Sequence, residues 1–171
     1  MAPRTDAVQV RVRQAQAGDA DWLAECAIAM ARETEGKALD PDVVRSGVAR
    51  GLADPRRARY FIAMQAAAAG HDTLARPVGT LMLTTEWSDW RDGHWWWIQS
   101  VYVLPDARRQ GVYAALHAHV EALARSSRDV IGLRLYVERD NAAAQRTYAA
   151  AGLRDAGYRL FEAPFDDSGP V

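Results

Sequence analysis

Alternating and helical apolar patterns predict the elements of the N-terminal part of the chain. The stretch VQVRVRQA (8–15) alternates valines with polar residues, which predicts a β-strand. Residues 18–36 carry apolar side chains at helical spacing behind an Asp-rich start, which predicts a helix. A second helix is predicted over 40–55, because Asp40 can cap it and Pro41 suits its first position.

Three strands and a long helix are predicted for the middle of the chain. Segments 58–67 and 77–87 are β-rich and flank a polar loop, so they predict a hairpin. The aromatic stretch 94–104 predicts a central strand. The helix after it is expected to begin near Arg109 and to run to about Ser127, with one apolar stripe. The stripe consists of Val112, Leu116, Val120 and Leu123.

The C-terminal part of the chain predicts a strand, a helix and a strand. They are expected over 131–137, 140–152 and 157–165, with Asp140 as the helix cap and Gly152 just past the helix end. The sequence has neither an internal repeat nor a low-complexity linker, so we expect one α/β domain with a mixed sheet. The expected divisions are a tail at 1–7, the domain at 8–165 and a second tail at 166–171.

The charge balance argues against several classes of partner. Lys and Arg total 21 against 22 for Asp and Glu, so no global field attracts nucleic acid or an anionic membrane. Any anion site must therefore be local. The single cysteine, Cys26, lies in an apolar helical pattern and is expected to be a buried core residue. With no apolar run of signal-peptide or membrane-span length, we expect a soluble protein in the reducing cytoplasm.

The histidines do not predict a metal site. His117 and His119 are two residues apart on a predicted helix and so point about 200° away from each other. His71 falls in the predicted hairpin loop and His94 opens a strand, with no Ser–Asp or Cys partner at a catalytic spacing. We therefore expect no metal.

The segment VYVLPDARRQGVYAALHAHV (101–120) joins a strand end to a helix start through a basic loop that contains a glycine. Such a junction presents unpaired N–H groups and the positive end of the helix dipole at one spot, which binds anions. Gly111 lets the backbone approach a ligand closely, and Arg108 and Arg109 can hydrogen-bond phosphate oxygens. The segment therefore fits a pyrophosphate. A solvated surface loop is the alternative.

Two longer segments resemble the Gcn5-related N-acetyltransferases (GNAT). They are IQSVYVLPDARRQGVYAALHAHV (98–120) and LRLYVERDNAAAQRTYAAAGL (133–153), and the resemblance extends over residues 8 to 165. It implies an α/β GNAT fold, with a mixed, mostly antiparallel sheet of about seven strands, splayed between strands 4 and 5, and about four flanking helices. It also implies acetyl-CoA as cosubstrate and an amine as acceptor. The matching residues are Arg108, Gly111, Tyr113, Asn141, Ala144, Tyr148, Gly152 and Leu153.

The resemblance also implies a role for each motif. Main-chain amides of the loop would hold the pyrophosphate, and the fourth strand would pair with pantetheine like an added strand. Asn141 would hydrogen-bond the pantetheine region, and Tyr148 would be the general acid that protonates the departing thiolate. The implied coenzyme-binding residues are Val101, Tyr102, Val103, Arg108, Arg109, Gln110, Gly111, Val112, Tyr113, Ala114, Asn141 and Tyr148.

Two positions depart from the family pattern. Tyr113 stands where a small residue usually closes the loop, so its side chain must swing outward. Gln99 stands where many relatives place a glutamate base, and an amide cannot take up the proton. Glu86, at a strand end, is the replacement candidate that could relay a proton through water, with a solvated turn carboxylate as the alternative. Gln99 could instead orient that water, or an acceptor of low pKa would need no base.

A cluster of tryptophans provides the candidates for the acceptor pocket. Alternation sends Trp95 and Trp97 to one face of the central strand. Either the tryptophans cover sheet faces and a dimer or loop contact, or Trp87 and Trp97 form an aromatic wall for a flat or cationic substrate. Glu33 and Glu35, at the end of the first helix, could add negative charge there or be solvated helix-end acids.

Three functions from different classes stay open on this reading. The leading one is an acetyl-CoA-dependent N-acetyltransferase that acts on a primary amine of a small molecule or protein, with a homodimer as a further expectation. The second is a noncatalytic acyl-CoA-binding or sensing module, which an assay of thioester turnover separates from an enzyme. The third is a nucleic-acid- or sugar-binding protein, which the acidic balance disfavours and filter binding at two salt concentrations tests. The sequence does not identify the acceptor.

Overall fold

The structure is a computed structural model of the chain. It describes residues 10–66, 75–163 and 165. The predicted tails and most of the predicted hairpin loop lie outside these residues. The chain forms two compact units, Met1–Tyr136 and Val137–Val171, which are described separately below.

One sheet forms the centre of the first unit. Among the described residues its strand order is β1-β2-β3-β4-β5, with β1 to β4 antiparallel and β5 parallel to β4. The sheet is therefore mixed and mostly antiparallel, as predicted. The strands are β1 (Val10–Gln14), β2 (Arg59–Gln65), β3 (Arg76–Ser88), β4 (Gly93–Val103) and β5 (Val130–Leu135).

Helices of the first unit follow the local signals in the sequence. The cap predicted for the second helix is confirmed, because Asp40 Oδ1 accepts hydrogen bonds from the N–H groups of Asp42 and Val43 at 2.8 and 3.4 Å. Pro41 occupies the first helical position, where its missing N–H costs nothing. The helices are α1 (Ala20–Glu35), α2 (Pro41–Ala53) and α3 (Val112–Ser126).

Helices cover both faces of the sheet. On one face α3 packs through its predicted stripe, and Leu116 and Val120 are fully buried. On the other face Leu23 of α1 and Val48 of α2 share a core with Ile62 of β2. Burial of such side chains stabilises the fold by about 25 cal/mol for each Å² of apolar surface removed from water.

Cys26 lies on the buried face of α1, as predicted, with 3% of its surface exposed. Burial raises the pKa of its thiol to about 12, so the thiol stays protonated at neutral pH and is not a nucleophile. It lines a cavity of about 60 Å³ between α1, α2 and the sheet. The hydroxyl of Thr80 also faces this cavity and has no hydrogen-bond partner among the described residues.

The strand β4 pairs with β5 over only about the first half of its length. Its pairing with β5 ends at Ile98, whereas β4 itself continues to Val103. The register with β3 shifts between Met82 and Leu83, which makes Gln99 the extra residue of a β-bulge. Beyond the bulge, one edge of β4 has no strand neighbour among the described residues of the first unit. This opening lies where the resemblance predicts a splay.

The second unit differs from the prediction in two respects. Its helix, α4 (Ala142–Ala150), is capped by Asn141, whose Oδ1 accepts a hydrogen bond from Ala144 N–H at 3.0 Å, and not by Asp140. The strand predicted over 157–165 is absent from its described residues. The described residues of the two units together contain five strands, all in the first unit, and not about seven. A strand needs a neighbour to pair its backbone, and the described part of this unit offers only a helix.

Candidate coenzyme and acceptor site

The loop between β4 and α3 is open to solvent. Arg109 and Gly111 adopt left-handed φ angles of 62° and 80°, a conformation that is natural for glycine and costly for arginine. Because two left-handed residues cannot continue a helix, α3 begins at Val112, and the predicted start near Arg109 was wrong. Helical periodicity alone could not reveal these two backbone angles.

Main-chain donors of this loop are available to an anion. Ala115 N–H donates to Gly111 O at 3.0 Å and so begins the regular bonding of the helix. Free N–H groups at a helix N-terminus, together with the helix dipole, suit a pyrophosphate, so the residues present fit that part of acetyl-CoA. The N–H groups that donate no hydrogen bond to a described residue include those of Arg109, Gln110, Gly111, Val112 and Ala114.

Side chains of β2 and β3 hold the loop in shape. Gln65 Nε2 donates to Gln110 Oε1 at 2.9 Å, and Gln110 Nε2 donates to the main-chain oxygen of Asp106 at 2.8 Å. Arg76 Nη2 donates to Asp106 Oδ2 at 2.8 Å and to Gln65 Oε1 at 3.3 Å. The side chain of Gln110 thus forms hydrogen bonds within the protein. Its main-chain N–H is the group that can donate to a coenzyme.

Arg108 is bound to acceptors of its own chain. Its Nη2 donates to Glu33 Oε2 at 2.5 Å, and its Nε donates to Val103 O at 3.0 Å. The Tyr102 hydroxyl donates to Glu33 Oε1 at 2.6 Å. Hydrogen bonds from Tyr102 and Arg108 lower the pKa of Glu33, and burial raises the pKa of Tyr102 to about 12. Glu33, which was predicted to face the acceptor, therefore contacts the coenzyme loop.

Arg109 and Glu35 have contrasting surroundings. Arg109 is exposed and forms no ion pair with a described residue, so its guanidinium is available to a phosphate. Glu35 is paired with Lys37, whose Nζ lies 2.7 Å from Glu35 Oε2. Glu35 is thus a helix-end acid neutralised by its neighbour.

Tyr113 directs its ring along α3. The ring centre lies 5.8 Å from that of His117, one turn further along the helix. His117 is buried, which lowers its pKa, whereas His119 packs its ring against Phe61 with centres 5.3 Å apart. The two histidines thus have different neighbours. In the described part of the chain, no group of three or more His, Cys, Asp or Glu side chains could hold a metal ion.

The strand β4 carries the residues predicted to pair with pantetheine. Val101, Tyr102 and Val103 are paired with β3 along one edge, and they lie beyond the end of the β5 pairing on the other. An open strand edge of this kind can hydrogen-bond an extended chain that carries amides, as pantetheine does. The side chains serve the core, since Tyr102 is 7% exposed and the two valines pack against the α3 face.

Glu86 is held by two donors. Arg134 Nη1 lies 3.0 and 3.1 Å from its two carboxylate oxygens, and Trp97 Nε1 donates to Oε2 at 2.5 Å. Uptake of a proton by Glu86 would therefore break its pairing with Arg134. Gln99 has a simpler contact, because its Oε1 accepts a hydrogen bond from the Thr84 hydroxyl at 3.1 Å.

Arg134 and three aromatic side chains pack next to the Glu86 carboxylate. The aromatic residues are Trp95, Trp97 and Tyr136. The Arg134 guanidinium lies 4.1 Å from the ring centre of Trp95 and 5.8 Å from that of Trp97. Trp97 also stacks on Tyr136, with ring centres 4.3 Å apart, and Tyr136 is half exposed. Trp87 is also half exposed, near the end of β3. Sequence analysis missed Arg134 and Tyr136, although their spacing of two residues places them on one face of an extended chain.

Tyr148 and Asn141 belong to the second unit. The Oδ1 atom of Asn141 accepts the hydrogen bond that caps α4, so the side-chain N–H groups on Nδ2 are left to donate to a ligand. Burial raises the pKa of Tyr148, which keeps its hydroxyl protonated at neutral pH. A general acid must hold its proton in this way until the leaving group departs.

The described residues include no helix with the length and apolar character needed to cross a membrane.

The mixed sheet opens beside β4, and a loop with unpaired N–H groups leads from that strand to α3. The chain belongs to the Acetyltransferase (GNAT) family, whose family model matches residues 20–153. A solved structure described as a possible acetyltransferase from Clostridium difficile 630 is 35% identical, with a TM-score of 0.80. That match covers 91% of this chain and 97% of the other.

Two more distant structures share the fold. The aminoglycoside N-acetyltransferase AAC(6')-Iy, solved in complex with CoA, is 16% identical with a TM-score of 0.71, and the match covers 97% of this chain and 100% of that one. A ribosomal-protein-alanine N-acetyltransferase from Brucella melitensis biovar Abortus 2308 is 17% identical with a TM-score of 0.67, covering 92% and 100%. Such identities show the fold alone. The comparison with curated proteins gives no significant match.

Proposed function

We propose that this protein is an N-acetyltransferase that moves the acetyl group of acetyl-CoA to a primary amine of a small molecule or protein by direct attack. The observation that carries the proposal is the open N–H loop around Gly111, which directly follows the open edge of β4. The loop suits a pyrophosphate and the strand edge suits pantetheine. The two features follow each other along the chain, as the two groups do along the coenzyme.

Several residues would hold the coenzyme, which supplies the acetyl thioester when bound. The loop N–H groups would donate to phosphate oxygens, and the Arg109 guanidinium would add a charge-assisted hydrogen bond. The main chains of Val101 and Val103 would pair with pantetheine. Asn141 would donate from its amide to the same region, since its oxygen already caps α4.

Tyr148 would protonate the departing sulfur. The proposal rests on its place in the family motif that begins at Asn141. The hydroxyl would deliver its proton as the C–S bond breaks, so that the sulfur leaves as a thiol and not as a thiolate.

The proton lost by the amine has two routes that the contacts support. Gln99 can orient a water through its amide, since only its oxygen is used by Thr84. An acceptor that is already neutral at working pH needs no dedicated base, because the proton released after its attack can pass to water. Glu86, predicted to relay the proton through water, stays a further candidate and is paired with Arg134.

The charges favour an acceptor with one amine on a flat or apolar body. The carboxylates considered for the acceptor, Glu33 and Glu35, and the candidate base Glu86 are each paired with a cation of the first unit, whereas a polycation needs several unpaired carboxylates. The half-exposed ring of Tyr136, stacked on Trp97, offers a surface for a flat group. The neutralised pairs are Glu33 with Arg108, Glu35 with Lys37, and Glu86 with Arg134.

Release of free thiol from acetyl-CoA tests this proposal. The panel should contain aromatic monoamines, polyamines, aminoglycosides and N-terminal peptides, and we expect turnover with the aromatic monoamines. Replacing Tyr148→Phe should lower kcat by a factor of about 10² or more, with CoA affinity retained. Tyr158→Phe is the matched control, because Tyr158 is 85% exposed in the same unit. An unchanged kcat in the Tyr148→Phe variant would remove Tyr148 from the mechanism.

A noncatalytic acyl-CoA-binding module is the second candidate. It is favoured by an amide at Gln99, where relatives carry a base, and by the ion pair that occupies Glu86. Calorimetric binding of CoA without thiol release from any member of the panel would select it over the enzyme.

A further inference from the structure

We propose that Glu33 is a positioning residue for coenzyme binding, and that it holds the coenzyme loop through Arg108. The inference rests on the proposed function, and it gives Glu33 a task on the coenzyme side in place of the predicted one at the acceptor. The carboxylate at the end of α1 accepts from Arg108 Nη2 at 2.5 Å and from the Tyr102 hydroxyl at 2.6 Å.

Three parts of the first unit meet at this cluster. Glu33 belongs to α1, Tyr102 belongs to β4, and Arg108 is the residue directly before the left-handed Arg109. Arg108 also donates from Nε to Val103 O at 3.0 Å, which ties it to the end of β4. The position of Arg108 is thus set by a carboxylate and a carbonyl, and the loop of open N–H groups begins at the next residue.

Preorganisation is the reason why such a cluster affects a ligand that it does not touch. A cup of main-chain N–H groups binds an anion well only if the groups already converge before the anion arrives. Loops lose entropy when they are ordered, and a charge-assisted contact made within the protein removes this cost from the binding step. Glu33 would therefore act on the coenzyme through Arg108.

The two adjacent arginines then have different roles. Two nitrogen atoms of the Arg108 guanidinium are already bound to Glu33 and Val103. Arg109 is exposed and forms no ion pair with a described residue. We assign direct contact with phosphate to Arg109 and positioning of the loop to Arg108. From the sequence, both side chains were expected to hydrogen-bond phosphate oxygens.

A double-mutant cycle on CoA affinity, measured by calorimetry, tests the assignment. Glu33→Ala and Arg108→Ala should each weaken CoA binding about tenfold, and the double variant should be no weaker than either single one. Arg109→Ala should weaken binding by about as much when it is added to Glu33→Ala as when it is made alone, because it acts independently. Its effect should also shrink at high salt, where exposed charges are screened.

Matched controls come from an ion pair of α3 outside the loop. Arg125 Nη2 lies 2.6 Å from Glu121 Oε1. The alanine variants of these two residues should leave CoA affinity unchanged. Acetyl-pantetheine, which lacks the phosphates, gives a second readout. Turnover of this donor should be little affected by Glu33→Ala, whereas the KM for acetyl-CoA should rise with kcat retained.

The CoA affinities of these variants distinguish positioning by Arg108 from direct phosphate binding by Arg108. If Glu33→Ala leaves CoA affinity unchanged or raises it while Arg108→Ala lowers it, then Arg108 binds phosphate directly and the inference is wrong. Additive effects of the two changes would also overturn it. If the alanine variant does not fold, Glu33→Gln takes its place, since it keeps the shape and an acceptor oxygen, and a loss of about threefold is expected. Failure of the unchanged protein to bind CoA would contradict the proposed function itself.

Discussion

Two glycines with equal space around them should respond in opposite ways to alanine. A Cβ at either Gly111 or Gly47 would meet nothing within 4 Å, but only Gly111 has a left-handed φ, of 80°. Gly111→Ala should therefore destabilise the protein by about 1 kcal/mol or more and weaken CoA binding. Gly47→Ala, within α2, should stabilise it by about 0.5 to 1 kcal/mol. Urea denaturation measures both, and shifts of the same sign would contradict the backbone explanation.

Gln99→Glu should supply a base at the position where Gln99 now carries an amide. The new carboxylate can keep the hydrogen bond from the Thr84 hydroxyl, which Gln99 accepts at 3.1 Å, so the local geometry is retained. For a basic amine we expect kcat/KM at neutral pH to rise by a factor of about 10 or more, because general-base catalysis then becomes available. Rates measured against pH provide the test, with Gln99→Leu as the variant that adds no base. An equal response of the two variants would show that the amine arrives neutral.

Asp19 should contribute stability that is lost in acid. Hydrogen bonds from the Arg13 guanidinium, both 2.8 Å long, lower the pKa of Asp19 from its ordinary 3.8. The folded pKa lies below the unfolded one, so this contribution is full above the ordinary value and disappears as pH falls through the lowered one. Asp19→Asn should flatten that part of the profile of unfolding free energy against pH. Asp42→Asn on α2 controls for the change in net charge.

At the scale of elements, the sequence predicted what is determined locally. The helix over 41–53 follows from Asp40 and Pro41, which act on their own neighbours in the chain. The bulge at Gln99 depends on the register with β3, and the strand predicted over 157–165, which the described residues of that range do not form, depends on whether a partner strand is present. Pairing of this kind is nonlocal, so alternation alone did not reveal it.

The cap of α4 shows how a local prediction can err by one residue. Both Asp140 and Asn141 are capping residues by type, and the side-chain bond to Ala144 N–H is made by Asn141. Asn141→Ala should lower the free energy of local opening of α4 by about 1 kcal/mol, and Asp140→Ala should have a smaller effect. Hydrogen exchange of the α4 amides distinguishes the two. Equal losses would mean that the negative charge of Asp140, directly before the cap, stabilises this helix as much as the cap does.

At the scale of the whole molecule, the site could be predicted only in part. The loop and its glycine have a sequence signature, and so does the motif from Asn141 to Tyr148. The contacts between Glu33 and Arg108 and between Glu86 and Arg134 join residues that lie far apart in sequence, where no local pattern connects them. They show that Glu33 contacts Arg108 of the loop, the observation behind the positioning role proposed above, and that Glu86 is paired with Arg134.

Binding of CoA should stabilise the protein and should protect amides of each unit from hydrogen exchange. A ligand at 100 times its Kd adds about 2.7 kcal/mol to the free energy of unfolding if it binds only the folded state. With a net charge of −1, the protein has no global attraction for the anionic coenzyme, so Arg109→Ala should remove much of the salt dependence. Hydrogen exchange with and without CoA should show protection at 109–114 in the first unit and at 141–148 in the second. Protection confined to the first unit would support the proposed role of the coenzyme loop. It would contradict the proposal that Asn141 and Tyr148 contact the coenzyme.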